Sequence, residues 1–161
     1  MKCIFVVQGE GRGHYTQALT MKDSLTRNGH EVVAVLVGKS SNRELPEFFT
    51  NNIHVPVYTF ESPNFLPAPK NKQPNVLKSV LKNILHVPRF VRSIAFVKSK
   101  IKEFSPDVVI NFYELITGLT YFFTPPQSKM ICVGHQYMFL HKNFKFPKAS
   151  FGSLFFLRFF T

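Results

Sequence analysis

The 161-residue sequence predicts an α/β fold with a doubly wound, mainly parallel sheet flanked by helices. Three observations carry this expectation. Short apolar runs rich in β-branched residues recur along the chain, as strands buried on both faces require. Segments of helical periodicity separate them, and strands alternating with helices form right-handed βαβ units. Hydrophobic residues make up 45% of the chain against 18% charged, enough apolar material for one core.

Cys3 to Val7 reads as the first buried strand. A glycine-rich turn, Gly9 to Gly13, leads into a helix expected over Tyr15 to Asn28, with Tyr15, Ala18, Leu19 and Leu25 on its apolar side. Asn28-Gly29 stops that helix, because glycine accepts the left-handed conformation past the last turn. Glu31 to Val37 is a second buried strand, and Ile53 to Phe60 is expected as a third. Four prolines make Ser62 to Pro74 a loop. Two basic amphipathic helices are expected next, over Asn75 to Val87 and Arg89 to Phe104, with a break at Pro88. Asp107 to Phe112 reads as a strand, Leu115 to Phe123 as a helix, and Lys129 to Val133 as the last strand.

Composition narrows the function classes. Cys3 and Cys132 sit in apolar runs without ligand-spaced partners, so reduced, buried thiols in a cytoplasmic protein are expected. The six histidines are scattered, and no metal site or cofactor is expected. Met1 to Val7 starts as a leader would, with a charge and then apolar residues, but the run breaks at Gly9 to Gly13. No stretch approaches the ~20 apolar residues needed to span a bilayer.

The net charge is +11, and it is uneven. Residues 1–62 hold six basic and six acidic residues, whereas residues 63–102 hold nine basic residues and no acid. A solvated polar face, contact of residues 70–102 with an anionic membrane, and nucleic-acid binding all fit that excess. Nucleic acid has the least support, because no helix-turn-helix, RRM or KH signature is present. Eight of the 19 phenylalanines fall between Phe139 and Thr161. Such an apolar end needs a partner surface, which predicts that residues 1–161 form one domain cut from a longer protein.

The turn Gln8-Gly9-Glu10-Gly11-Arg12-Gly13-His14-Tyr15 carries the chemistry. Glycines allow close backbone approach, and a helix N-terminus offers free N–H groups to an anion. A dinucleotide fingerprint fits badly: His14 stands where its third glycine belongs, and Val37 is followed by Gly38-Lys39-Ser40 without an acid for a ribose.

The Gly13-His14 pair opening a helix, the Asn28-Gly29-His30-Glu31-Val32 junction, the strand Ser105-Pro106-Asp107-Val108-Val109-Ile110 and the segment Val133-Gly134-His135-Gln136-Tyr137 together resemble the N-terminal half of GT-B fold glycosyltransferases. The relatives are bacterial lipid-intermediate N-acetylglucosaminyltransferases and nucleotide-sugar glucosyl- and glucuronosyltransferases. This resemblance implies a Rossmann-like, acceptor-binding domain whose donor-binding partner domain lies outside these residues, in the same chain or on another. It implies a nucleotide-sugar donor, a hydroxyl acceptor that is lipid-linked or part of a cell-envelope glycan, and a place at the inner face of the membrane. His14 would be the base that takes the acceptor proton, a task suited to a side chain titrating near neutrality. Gly9, Gly11, Arg12, Gly13, His135 and Gln136 would bind substrate. Where many relatives carry an acid that orients the histidine, Asn111 stands here; Glu114, three residues on, is the candidate replacement. A nucleotide-sugar epimerase of the same architecture, and a non-catalytic domain binding nucleotide, another anion or a membrane surface, are the competing readings.

Overall fold

The computed structural model describes residues 1–41, 43–63 and 83–145. Five strands, β1 (Lys2–Gln8), β2 (Glu31–Lys39), β3 (Val57–Glu61), β4 (Val108–Phe112) and β5 (Lys129–Cys132), form one sheet in the order β3-β2-β1-β4-β5. Every pairing is parallel. The expected α/β, doubly wound class is therefore the observed one.

The helices are α1 (Arg12–Arg27), α2 (Glu47–Ile53), α3 (Val87–Phe104) and α4 (Leu115–Phe123), with a 3₁₀ segment at His135–Leu140. Two cores separate the layers. On one face Tyr15 and Ala18 of α1 and Phe49 and Ile53 of α2 pack against Cys3, Phe5, Val7, Val35 and Phe112. On the other, Val97 and Ile101 of α3 and Ile116 of α4 pack against Ile4, Val6, Leu36 and Val109. Alternate residues of β1 thus feed opposite cores, which is why the strand is continuously apolar in sequence.

Order reverses between β1 and β4. The chain winds outward from β1 through β2 to β3, then returns to place β4 on the other side of β1. Ligands of open α/β sheets bind at such a switch point, beyond the carboxyl ends of the strands. Asp107 fixes the start of the return: its carboxylate accepts from Lys2 N at 2.7 Å and its own N–H donates to Lys2 O at 2.9 Å.

Several boundaries differ from the sequence expectation. α1 begins at Arg12, not Tyr15: Gly11 is an extended N-cap, so Gly13 and His14 lie inside the first turn. The stop at Asn28 and Gly29 is as expected, with Gly29 at φ 73°. Ile53 ends α2 rather than opening a strand, because Phe49 and Ile53 at i and i+4 bury together against the first core. The break expected at Pro88 falls at His86, and Pro88 occupies the first turn of α3, where a missing N–H costs nothing. Residues 75–82 of the preceding expected helix, and most of the 62–74 loop, lie outside the described residues. Cys3 is buried as expected, but Cys132 is exposed, since β5 is an edge strand with little over it. Both thiols are free. Lys100 also departs from a solvated basic face: its ammonium sits 4.0 Å above the Tyr58 ring and 2.8 Å from Glu103.

Candidate functional site

The carboxyl ends of the strands carry the sequence-predicted residues, which divide into two groups. After β1 the backbone turns tightly against β2, with Gly9 N donating to Gly38 O at 2.7 Å. A Cβ on Gly9 would stand 2.9 Å from that oxygen, from the Tyr15 hydroxyl and from Val37 Cγ1. Packing therefore requires a glycine at position 9. Tyr15 donates its hydroxyl to Gly9 O at 3.2 Å, and burial pushes its pKa up to about 12.

Glu10 closes the outer side of the turn, accepting from Ser40 N at 2.8 Å and from Arg43 at 3.2 Å. Arg12 lies 4.9 Å over the Phe48 ring, which turns its guanidinium toward α2. Gly11 and Gly13, by contrast, have open space: a Cβ on Gly11 meets only His14 Cδ2, at 3.9 Å, and one on Gly13 meets nothing within 4 Å.

His14 is 8% exposed, and its ring stacks on Tyr113 with centroids 6.2 Å apart and planes at 17°. Tyr113 in turn meets Tyr137 edge-on at 5.6 Å. The rings bring together the ends of β1, β4 and β5. Burial lowers the His14 pKa, Gln17 works against that shift, and the neighbouring His135 adds to it. The positive end of α1 disfavours an imidazolium in the same sense. Both effects favour the neutral imidazole over the imidazolium. Its Nδ1, Gln17 Oε1 and Gln136 Oε1 are buried with no hydrogen bond. Gln136 lies against Gly134, with His135 exposed beside it.

Glu114 does not join this group. It is 1% exposed and caps α4, with Oε2 accepting from Thr117 N at 2.8 Å and from Thr117 Oγ1 at 3.0 Å. Its Oε1 accepts from Ser62 Oγ at 2.5 Å. The carboxyl packs over Gly38, where a Cβ would stand 2.7 Å from Oε1. These contacts tie both carboxylate oxygens to Ser62 and Thr117, and among the described residues no hydrogen bond joins Glu114 to His14. Burial raises the Glu114 pKa, and the bonds from Ser62, Thr117 and Ile116 oppose the rise.

Asn111 is likewise structural. Its side chain accepts from Glu114 N at 2.8 Å and donates to Glu114 O at 3.0 Å. This closes a turn in which Tyr113 takes φ 58°, a conformation few bulky residues adopt. Such strain collects at functional sites. Tyr113 was invisible to the sequence reading, because its role depends on that turn; Gln17 was read only as part of a helix. Among the described residues no three His, Cys, Asp or Glu side chains converge as a metal site.

Residues 1–145 match the family described as "Glycosyl transferase family 1". The chain belongs to this family. No curated protein sequence matches it. Among solved structures it is similar to the glycotransferase of kitacinnamycin, at 15% identity and TM-score 0.50 over 81% of this chain and 30% of that one. It is also similar to CalG4, the calicheamicin glycosyltransferase (15%, TM-score 0.49, 82% and 32%), and to Acinetobacter baumannii MurG (15%, TM-score 0.45, 81% and 33%). The chain thus spans about a third of the length of these proteins. Family and fold together bear out the resemblance to the N-terminal, Rossmann-like half of GT-B glycosyltransferases.

Proposed function

We propose that this family 1 domain is the acceptor side of a glycosyltransferase, moving a sugar from a nucleotide-sugar to an acceptor hydroxyl with His14 as general base. The observation that carries the reading is a nearly buried imidazole, its pKa lowered by burial, at the β1/β4 switch point of a chain in this family. His14 Nε2 takes the hydroxyl proton while the acceptor oxygen bonds to the anomeric carbon. The bond from that carbon to the donor phosphate oxygen breaks, and the nucleotide leaves with its electron pair. The reaction calls for no metal or further cofactor.

Gln136 Oε1, buried and unpaired, supplies an acceptor for a substrate hydroxyl. His135 is exposed beside it, and the backbone at Gly11 and Gly13 has open space around it. Arg12 has a weaker claim, because its guanidinium is engaged with Phe48. The donor half belongs to a second domain, in the same polypeptide or on a partner.

A lipid-linked or cell-envelope acceptor would place the protein at the cytoplasmic face of a membrane. The start of α3 suits that place, with Val87 and Val91 exposed beside Arg89 and Arg92. No helix among the described residues is long and apolar enough to cross a bilayer.

The test is a transfer assay on the protein encoded by the full reading frame, or on this chain with its partner gene product. Nucleotide-sugars are supplied with soluble and lipid-linked acceptors. Sugar transfer that His14→Ala abolishes supports the reading. Isomerised donor without transfer identifies an epimerase, and binding without turnover identifies a non-catalytic module.

A further inference from the structure

We infer that Gln17 is the positioning residue for His14: its Oε1 accepts the Nδ1–H proton and holds the ring in the tautomer whose Nε2 is bare. The inference rests on the reading of His14 as a base for its consequence in catalysis, though not for its geometry.

Among the described residues three buried side-chain polar atoms lack a partner, and two of them, His14 Nδ1 and Gln17 Oε1, lie on α1 at i and i+3. Residues so spaced share one helix face. A glutamine oxygen only accepts, so the complement it needs is a donor, and Nδ1 is a donor in one tautomer alone. A turn of the Gln17 side chain satisfies both atoms together. The opposite tautomer would set two lone pairs against each other. The third atom, Gln136 Oε1, lies on another element, 3.2 Å from where a Gly134 Cβ would be.

The other candidates are already engaged. Glu114 is held by Ser62 and Thr117, Glu10 by Ser40 and Arg43, and Asn111 by the turn it closes. The groups facing His14 are then Tyr113, stacked on the ring, His135 from the 3₁₀ segment, and Gln17. With Cδ2 turned to Gly11 and Nδ1 to Gln17, Nε2 is the ring nitrogen left for substrate. An amide orients the ring without adding a negative charge, so the imidazole stays neutral and able to accept a proton.

The experiment is ¹⁵N-resolved NMR of the His14 ring in this chain, with Gln17→Glu and Gln17→Leu compared against the unaltered protein across pH. The expected result is an Nδ1–H tautomer in the unaltered chain, titrating below the ordinary value of about 6.5. Gln17→Glu keeps that tautomer and raises the midpoint by about one unit or more. Gln17→Leu releases the ring toward the Nε2–H form. An Nε2–H ring in the unaltered chain overturns the assignment, as does a midpoint that Gln17→Glu leaves unmoved. The glutamate variant is nearly isosteric, so the question is decided even if the leucine variant does not fold. In the complete enzyme Gln17→Leu should lower kcat about tenfold with KM little changed, and Gln17→Glu should move the acidic limb of the rate profile upward. Loss of transfer in every protein, the unaltered one included, would overturn the transferase reading while the NMR result still decides the role of Gln17.

Discussion

His14 and Glu114 sit at the same edge of one sheet, both nearly buried, yet their surroundings are opposite. Each Glu114 oxygen is bonded, to Ser62 or Thr117, and a glycine at position 38 leaves room for the carboxyl. His14 has one buried nitrogen with no hydrogen bond, a tyrosine in a strained conformation against its ring, and open space at Gly11 and Gly13. A buried polar group whose every atom is bonded is part of the scaffold; with Nδ1 assigned to Gln17, the His14 ring still has Nε2 to offer to a ligand. In sequence His14 was the expected base and Glu114 only the candidate to orient it.

The largest effect that would sharpen this contrast is on activity. His14→Ala should lower kcat of the complete enzyme by about 10²–10⁴-fold, the range of general-base contributions, as read in a transfer assay. The pH profile adds a check. Because burial lowers the His14 pKa, the rate should hold as pH falls through about 6.5 and drop only below it. An acidic limb at or above 6.5 would break the assignment.

Glu114 should show the reverse pattern, an effect on stability. Glu114→Ala removes a helix cap and leaves Ser62 and Thr117 unpaired, so chemical denaturation should show a loss of about 2–4 kcal/mol. Glu114→Gln isolates the charge. The folded-state pKa is raised, so the native protein holds the proton more tightly than the unfolded chain does. That contribution is complete below the unfolded value of about 4.3 and is lost as pH rises through the folded pKa. The glutamine variant lacks this loss, and its stability should gain on the parent's as pH climbs through that window. A constant difference would mean that Glu114 titrates normally.

The glycines extend the comparison at smaller scale. Gly9→Ala drives a methyl against backbone and should cost about 1–3 kcal/mol, measured by thermal or denaturant melting. Gly13→Ala lies inside α1 with nothing near it and should stabilise by about 0.5–1 kcal/mol. If the same variant impairs transfer, the backbone at Gly13 approaches a substrate closely; if it does not, Gly13 serves only the geometry of the turn.

Much of the fold was legible, because burial on both faces writes itself into a strand as an unbroken apolar run. β1, β2, β4 and α4 came within about two residues of their observed bounds. The errors fell where tertiary packing outweighed local pattern. Ile53 looked like a strand residue until Phe49, one turn earlier, drew it into a helix. Cys132 looked buried because its neighbours are apolar, but an edge strand has little to cover it. Of the residues the sequence singled out, His14 lies nearly buried in the first turn of α1, and His135 and Gln136 lie on the 3₁₀ segment after β5.

The sequence by itself determined the α/β class, the order of strands and helices along the chain apart from α2, and a histidine at the first helix opening. Each is a local property, set by hydrophobic period, turn chemistry or a motif a few residues long. Only the tertiary structure decided which groups His14 meets. Where Glu114 points depends on Gly38 and Ser62, more than fifty residues away. What faces His14 depends on β4 returning beside β1 and on the turn that holds Tyr113. Such contacts join segments distant in the chain, and no local pattern encodes their direction.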